Sequence, residues 1–474
     1  MIRDRLDFPP GFLWGTATSA HQVEGGNSNN DWWAFEQQPG AIWHGDRSGQ
    51  ACGWWQDAEA DFDLMAALGQ NTHRLSVEWS RIEPREGLFD PAALARYREM
   101  LAGLRQRGIE PMVTLHHFTT PLWLARQGGW AKAIAIEHFR RFVQHTVASL
   151  SDLVRLWCTI NEPEIYAAEG YWEGVHAPGR KAPLQAFAVL RNMLLAHAAA
   201  YQAIHAVQPN AQVGLVKDVR LFDAANPRSP ADRFIAALID YSFNRLVLRP
   251  LASGRLAFPL SLGLKSVPGL AESLDFFGLN YYTRDRVAFG WRPAAAVMQR
   301  FPTPGAEIGD SGRFGTYGEI YPEGLYRALQ RVASLGKPIY VTEVGLPDAD
   351  DDQRPRFLLT HLAQVHRAIA EGLPVKGVYY WSLLDNFEWA EGWALRFGLV
   401  SFDPVTQERR VRRSGELYAA IARENAITRQ MVETYAPECC AQIFPDGRSP
   451  DGQPVSQRRC RSVAKSSSDL RMSP

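Results

Sequence analysis

Apolar and β-branched residues gather along the chain into eight short runs: Phe12–Thr16, Thr72–Val77, Pro111–His117, Leu156–Asn161, Val213–Val216, Phe276–Tyr281, Ile339–Glu343 and Gly377–Ser382. Runs this apolar suit strands that are covered on both faces, as in a parallel sheet. Between them lie longer stretches whose apolar residues recur every three to four positions, among them Asp57–Leu68, Leu94–Gln106, Ile136–Leu150 and Phe357–Glu371, and these predict helices. Strand then helix, repeated around the chain, predicts an α/β fold: a single (β/α)8 barrel with extended loops on the catalytic rim. A doubly wound sheet would call for a glycine-rich phosphate turn after its first strand. The turn after Phe12–Thr16 reads Ser19-Ala20-His21-Gln22-Val23-Glu24-Gly25-Gly26 instead, which favours the barrel.

The run ends carry polar groups: Arg74, His116, His117, Asn161, Glu162, Lys217, Asn280, Tyr282, Glu343, Trp381 and Ser382. In a barrel these ends share one rim, the rim on which this fold builds its active sites. From residue 437 the apolar period stops, and residues 437–474 are rich in Ser, Pro, Gly and Arg. The expected division is a barrel domain over 1–436 and a flexible tail over 437–474.

Composition narrows the functions open to such a barrel. Lys plus Arg number 51 and Asp plus Glu number 51, spread along the chain, so there is no basic field for nucleic acid. No apolar run reaches membrane-span or signal length, so a cytoplasmic protein is expected, as a monomer or a homo-oligomer. Five scattered cysteines without a CxxC pair suggest neither a disulfide framework nor a zinc site. His116 and His117 are adjacent on a strand and point to opposite faces, so no metal is expected, nor any other cofactor. Fifteen tryptophans exceed what the core needs, and indole faces make platforms for sugars.

Two glutamates, Glu162 and Glu343, each stand where an apolar strand ends. A carboxylate there is costly to desolvate unless it is paired, hydrogen-bonded or kept neutral. Facing each other, two of them would divide their roles, one ionised beside a cation such as Arg74 and one holding a proton. Glycosidic cleavage needs this division: an acid for the leaving oxygen and a carboxylate for the oxocarbenium-like carbon. Asn161, next to Glu162, is placed to bond a substrate hydroxyl. Two other readings remain. Lys217 could be a Schiff-base nucleophile of an aldolase, although a rim lysine touching solvent is the simpler account. A sugar binder without catalysis would carry a replacement at Glu162 or Glu343, and neither is replaced.

With these residues the chain resembles the retaining β-glycosidases of glycoside hydrolase family 1. The likeness runs from Phe8-Pro9-Pro10-Gly11-Phe12-Leu13-Trp14-Gly15-Thr16-Ala17-Thr18-Ser19 to about Ala422, with several motifs in the family's order. It implies a β-glucosidase on an eightfold barrel, acting on small β-glycosides or oligosaccharides and extending to β-fucosyl and β-galactosyl residues. In Asn161-Glu162-Pro163 it implies that Glu162 is the acid/base. In Thr342-Glu343-Val344-Gly345 it implies that Glu343 is the nucleophile. It further implies that Gln22 and His117 grip the sugar and that Asn161 holds its 2-hydroxyl. Asn280 and Tyr282 would stand beside the nucleophile, with Arg74 beneath it. Trp381 would be a stacking floor, and Glu388 and Trp389 would hold the hydroxyls far from the bond that is cut. A carboxylate at Glu388 would repel a 6-phosphate, and the Ser and Lys pattern of the phospho-sugar branch is missing after Asp385, so an unphosphorylated sugar is expected. The chain departs from the family at Phe118, where an indole is usual, and at Val344, where an Asn is usual. These departures bear on sugar preference and on hydrogen bonding beside the nucleophile.

Overall fold

A computed structural model of the chain describes residues 4–290 and 298–445. The eight apolar runs are the eight strands of a closed parallel barrel: β1 (Leu13–Ala17), β2 (Thr72–Ser76), β3 (Glu110–His116), β4 (Leu156–Asn161), β5 (Gln212–Asp218), β6 (Phe276–Tyr281), β7 (Ile339–Val344) and β8 (Val375–Trp381). They follow one another around the barrel in chain order, and β8 closes it by pairing with β1, Gly377 opposite Leu13 and Trp381 opposite Ala17. A helix follows each strand: α1 (Glu59–Ala67), α2 (Pro91–Gln106), α3 (Ile134–Leu150), α4 (Pro183–Val207), α5 (Leu246–Ser253), α6 (Pro322–Ala333), α7 (Arg354–Ala370) and α8 (Arg413–Glu424).

Local chemistry sets the helix ends. α2 begins before the predicted Leu94 because the Asp90 carboxylate accepts from the Ala92 and Ala93 amides, and Pro91 in the first turn needs no donor. The predicted helix from Asp57 is two pieces, a turn over Trp54–Asp57 and then α1.

Packing follows the strand alternation. Ala17, Met112, Cys158, Val216, Phe276 and Tyr379, from six different strands, form one cluster inside the barrel. Their neighbours Trp14, Val113, Trp157, Leu215, Phe277 and Val378 belong to the larger core between strands and helices. Each aliphatic or Phe side chain buried there contributes roughly 1.5–3 kcal/mol. α8 is locked to the barrel by Tyr418, whose hydroxyl donates to the Gly15 carbonyl at 2.7 Å.

The boundary at 436 needs correction. Short helical turns continue over Pro437–Cys439 and Cys440–Ile443, and Cys439, Ile443 and Phe444 are buried. Three buried residues in nine are too few to show a period, yet they suffice to seat the segment on the core. The rest of the expected tail, 446–474, lies outside the described residues. Among the described residues no helix is long and apolar enough to cross a membrane.

Candidate active site

The carboxyl ends of the strands surround a pocket of about 240 Å³. Of the residues singled out in the sequence, His117, Asn161, Glu162, Tyr282, Glu343, Trp381, Glu388 and Trp389 line it. Glu162 follows β4 with a left-handed backbone, φ 46°, which turns the chain from the strand into the short helix Pro163–Ala167. A non-glycine residue held there costs about 1–3 kcal/mol.

Arg74, fully buried in mid-strand of β2, links the two glutamates' surroundings. Its Nη1 donates to Glu343 Oε1 at 2.5 Å, its Nη2 to Asn161 Oδ1 at 2.6 Å and its Nε to Thr114 Oγ1 at 3.0 Å. The Tyr282 hydroxyl donates to the other Glu343 oxygen at 2.5 Å. Asn280 Nδ2 donates to Glu162 Oε1 at 2.7 Å, while its carbonyl oxygen accepts from Thr342 at 2.7 Å.

The two carboxyls therefore sit in unequal fields. Burial, followed by the charges of Glu343, Asp218 and Glu164, pushes Glu162 well above the usual carboxylate range, and its bond from Asn280 works the other way. Burial raises Glu343 as well, but the Arg74 charge and the bonds from Tyr282, Arg74 and Asn280 oppose it. The pair thus keeps its proton on Glu162 and its charge on Glu343. Burial and the Arg74 charge drive His117 well below its ordinary value, so its imidazole is neutral. Its Nε2 lies 3.2 Å from the Asn161 amide, and its Nδ1 has no hydrogen-bond partner in the protein. The His117 ring lies nearly parallel to those of Trp381 and Trp389, tilted by 27° and 22°.

Some expected residues stand behind the pocket wall. Arg74 and Asn280 act through the bonds just described. Gln22 is buried, and its amide donates to Asn386 Oδ1 and the Phe387 carbonyl at 2.9 Å each and reaches Glu388 at 3.2 Å, so it braces Glu388. Burial, then the Glu343 charge, pushes Glu388 up to about 8. At neutral pH that group is mostly protonated, so charge repulsion is a weaker reason to exclude a phosphate than the sequence suggested.

Besides Arg74 and Asn280, three further run-end residues do not face the pocket. His116 accepts the indole N–H of Trp130 at 3.0 Å, and the Ser382 hydroxyl donates to the Leu384 carbonyl at 2.6 Å. Lys217 is buried, not on the solvent side of the rim, and it pairs with Glu164 at 3.2 Å. Alternation along the strand turns Lys217 away from the pocket and brings the next residue, Asp218, to it. Phe118 lines the pocket with its ring 5.2 Å from that of Trp389. Val344 is buried in the main core. The sequence reading missed Asp218, Arg220, Glu169 and Tyr317, which also line the pocket. Asp218 lies two residues past the end of the fifth apolar run at Val216, beyond what the apolar pattern marks. Among the described residues, a group of carboxylates close enough to share a metal ion occurs at Asp348, Asp350 and Asp352, outside this pocket.

Comparisons with known proteins bear on this geometry. A family model described as glycosyl hydrolase family 1 matches residues 4–427. Beta-glucosidase A of Thermotoga maritima is 33% identical over 447 residues, covering 89% of this chain and 98% of that protein. A beta-galactosidase of Sulfolobus acidocaldarius is 29% identical, covering 90% and 97%. Among solved structures, a beta-glycosidase from Pyrococcus horikoshii matches with a TM-score of 0.82 and 39% identity over 91% of this chain and 98% of that one.

Proposed function

Because the chain belongs to glycosyl hydrolase family 1, we propose that it is a retaining β-glucosidase, with Glu343 as nucleophile and Glu162 as acid/base. The observation that carries the assignment of roles is the unequal setting of the two carboxyls: Glu343 is bound to Arg74 and Tyr282, whereas Glu162 is bound to Asn280 and raised by burial and by neighbouring negative charges.

Glu343 attacks the anomeric carbon as Glu162 gives its proton to the departing oxygen. The glycosyl–Glu343 ester that forms is then hydrolysed by a water that loses its proton to Glu162, which restores both groups and the configuration. Asn161, hydrogen-bonded to Arg74, is oriented to hold the 2-hydroxyl. His117 offers a free ring nitrogen to a further hydroxyl, and Trp381 lies as a floor for the ring. Glu388, braced by Gln22, and Trp389 take the hydroxyls farthest from the scissile bond. The terminal sugar is an unphosphorylated β-glucosyl unit, with β-galactosyl and β-fucosyl units as secondary substrates. The relatives' names, beta-glucosidase and beta-galactosidase, support the glucosyl and galactosyl parts of that range. Cytoplasmic placement is part of the same proposal and is supported by the sequence, whose five cysteines are scattered without a CxxC pair.

The test is hydrolysis of nitrophenyl β-glucoside, β-galactoside, β-fucoside and 6-phospho-β-glucoside by the native protein and by Glu162→Gln and Glu343→Gln. Cleavage of the unphosphorylated substrates, led by the glucoside and falling about 10²–10⁴-fold or more in both variants, is expected. Preference for the phosphorylated sugar would overturn the substrate, and full activity of Glu343→Gln would overturn the mechanism.

A further inference from the structure

Large apolar side chains that no core absorbs crowd one face of the molecule. Leu262 is 98% exposed and Leu184 86%, and Phe234, Leu238, Phe258 and Leu264 are each more than half exposed. Leu184 stands in the first turn of α4, and Phe234 and Leu238 lie one turn apart on the helix Pro230–Asp240. That helix buries Ile235, Ala236 and Ile239, so it is apolar on its outer face as well as its inner one. Phe258, Leu262 and Leu264 come from the loop after α5, which the antiparallel pairing of Leu256 with Lys265 closes into a hairpin. The fold draws these pieces together. Leu184, Leu238 and Phe258 line a hollow of about 480 Å³, Leu262 and Lys265 line a second of about 470 Å³, and Arg191 and Leu260 line both, so the two form one trough. The loop beside it is held in shape: the Tyr241 hydroxyl donates to the Phe258 carbonyl at 2.5 Å and the Ser261 hydroxyl to the Gly263 carbonyl at 2.7 Å.

Single exposed leucines are ordinary, but a contiguous patch of this size calls for a partner. Side chains of this kind carry roughly 150–250 Å² each when free, so at the observed exposures the six together offer on the order of 800 Å². The largest apolar patch on a typical monomer is about 300–600 Å², whereas one partner's share of a stable interface is about 800 Å². The make-up agrees, because interface centres are poor in charge and enriched in aromatic residues and arginine. The charged residues lining the two hollows are Arg191 and Lys265, with no carboxylate among the described residues there. Shape then names the partner. A face with a projecting apolar loop beside an apolar trough is complementary to itself, since a two-fold axis seats the loop of each copy in the trough of the other. We infer that this face is the interface of a symmetric homodimer, in which the Leu262 loop of one chain enters the α4 trough of its partner. Trp172 extends the face towards the active site. Its ring meets that of Phe187, another residue of the trough, edge-on at 5.7 Å, and it belongs to the same helical turn as Glu169, which lines the active-site pocket. The second copy therefore reaches to within a helical turn of the pocket wall.

The experiment is sedimentation of the full chain over a concentration series, for the native protein, Leu262→Glu, the double variant Leu184→Glu/Leu262→Glu, and Val405→Glu, which changes a similarly exposed apolar residue outside the patch. The native protein and Val405→Glu are expected to sediment at twice the chain mass. In the double variant the dimer dissociation constant is expected to rise at least a hundredfold while the circular dichroism spectrum stays native, which separates lost association from lost folding. Leu262→Glu alters a side chain that stands in water, so it carries the same test, with a smaller rise, if the double variant misfolds. A native protein that is monomeric throughout, or a dimer that survives both loop variants, overturns the inference. So does a monomer that floats with phosphatidylglycerol vesicles and not with phosphatidylcholine vesicles, because the face, with Arg191 and Lys265, would then belong to an anionic lipid surface. The β-glucosidase reading stands or falls separately, on the nitrophenyl substrates.

Discussion

Glu162 and Glu343 are chemically the same side chain, and their surroundings alone distinguish them. Arg74 and Tyr282 hold Glu343 as an anion, while Glu162 meets the charges of Glu343, Asp218 and Glu164 and keeps its proton. Glu162 works protonated, so the rate falls as pH rises through its pKa; Glu343 works ionised, so the rate falls as pH drops through its own. Removing a negative charge beside Glu162 lowers its pKa. The basic limb of kcat/KM against pH for an aryl glucoside is thus expected to move to lower pH in Asp218→Asn, and a limb that stays in place would show that Asp218 does not act on Glu162. Both glutamates and the Arg74 cation were legible in the sequence because a strand end is where a buried carboxylate demands an explanation. Asp218 and the burial of Lys217 were not, since which of two adjacent residues faces the barrel axis depends on strand register, and the apolar run stopped short of both.

Elements explain residues that carry no chemistry. Gly345 directly follows β7, and a Cβ there would collide with the carbonyl of Trp381 at the end of β8. The loop after the nucleophile strand and the strand that carries the tryptophan floor can approach only because this residue has no side chain. Gly345→Ala is expected to cost about 1–3 kcal/mol in thermal or denaturant unfolding, and to lower kcat/KM by displacing Trp381; unaltered stability and activity would show that the two segments yield freely. Strand identity was readable throughout, because runs covered on both faces are apolar end to end. Strand ends were less so: β5 extends to Asp218 through two charged residues that the apolar pattern could not claim. The start of α2 at Pro91 depends on a cap that apolar spacing does not register.

At the scale of the whole molecule the barrel gathers side chains from strands far apart in the chain, so Arg74, Asn161, Asn280 and Glu343 meet in one hydrogen-bonded set. Repetition of strand and helix made that architecture legible, whereas the seating of 437–445 was not, because its buried side chains answer to tertiary contacts and no local period. Phe444 and Ile443 are buried, and the Arg429 guanidinium lies over the Phe444 ring at 5.0 Å. A chain ended at 436 is therefore expected to melt at a lower temperature than one ended at 445, and equal melting temperatures would show that the segment adds nothing. The central claim, that Glu343 forms a covalent glycosyl ester in a retaining reaction, is tested most directly by trapping. The protein is treated with 2,4-dinitrophenyl 2-deoxy-2-fluoro-β-glucoside and the labelled peptide is sequenced by mass spectrometry. The account predicts one fluoroglucosyl group on Glu343 with loss of activity; a label on another residue, or no label in a protein that turns over β-glucosides, would contradict it.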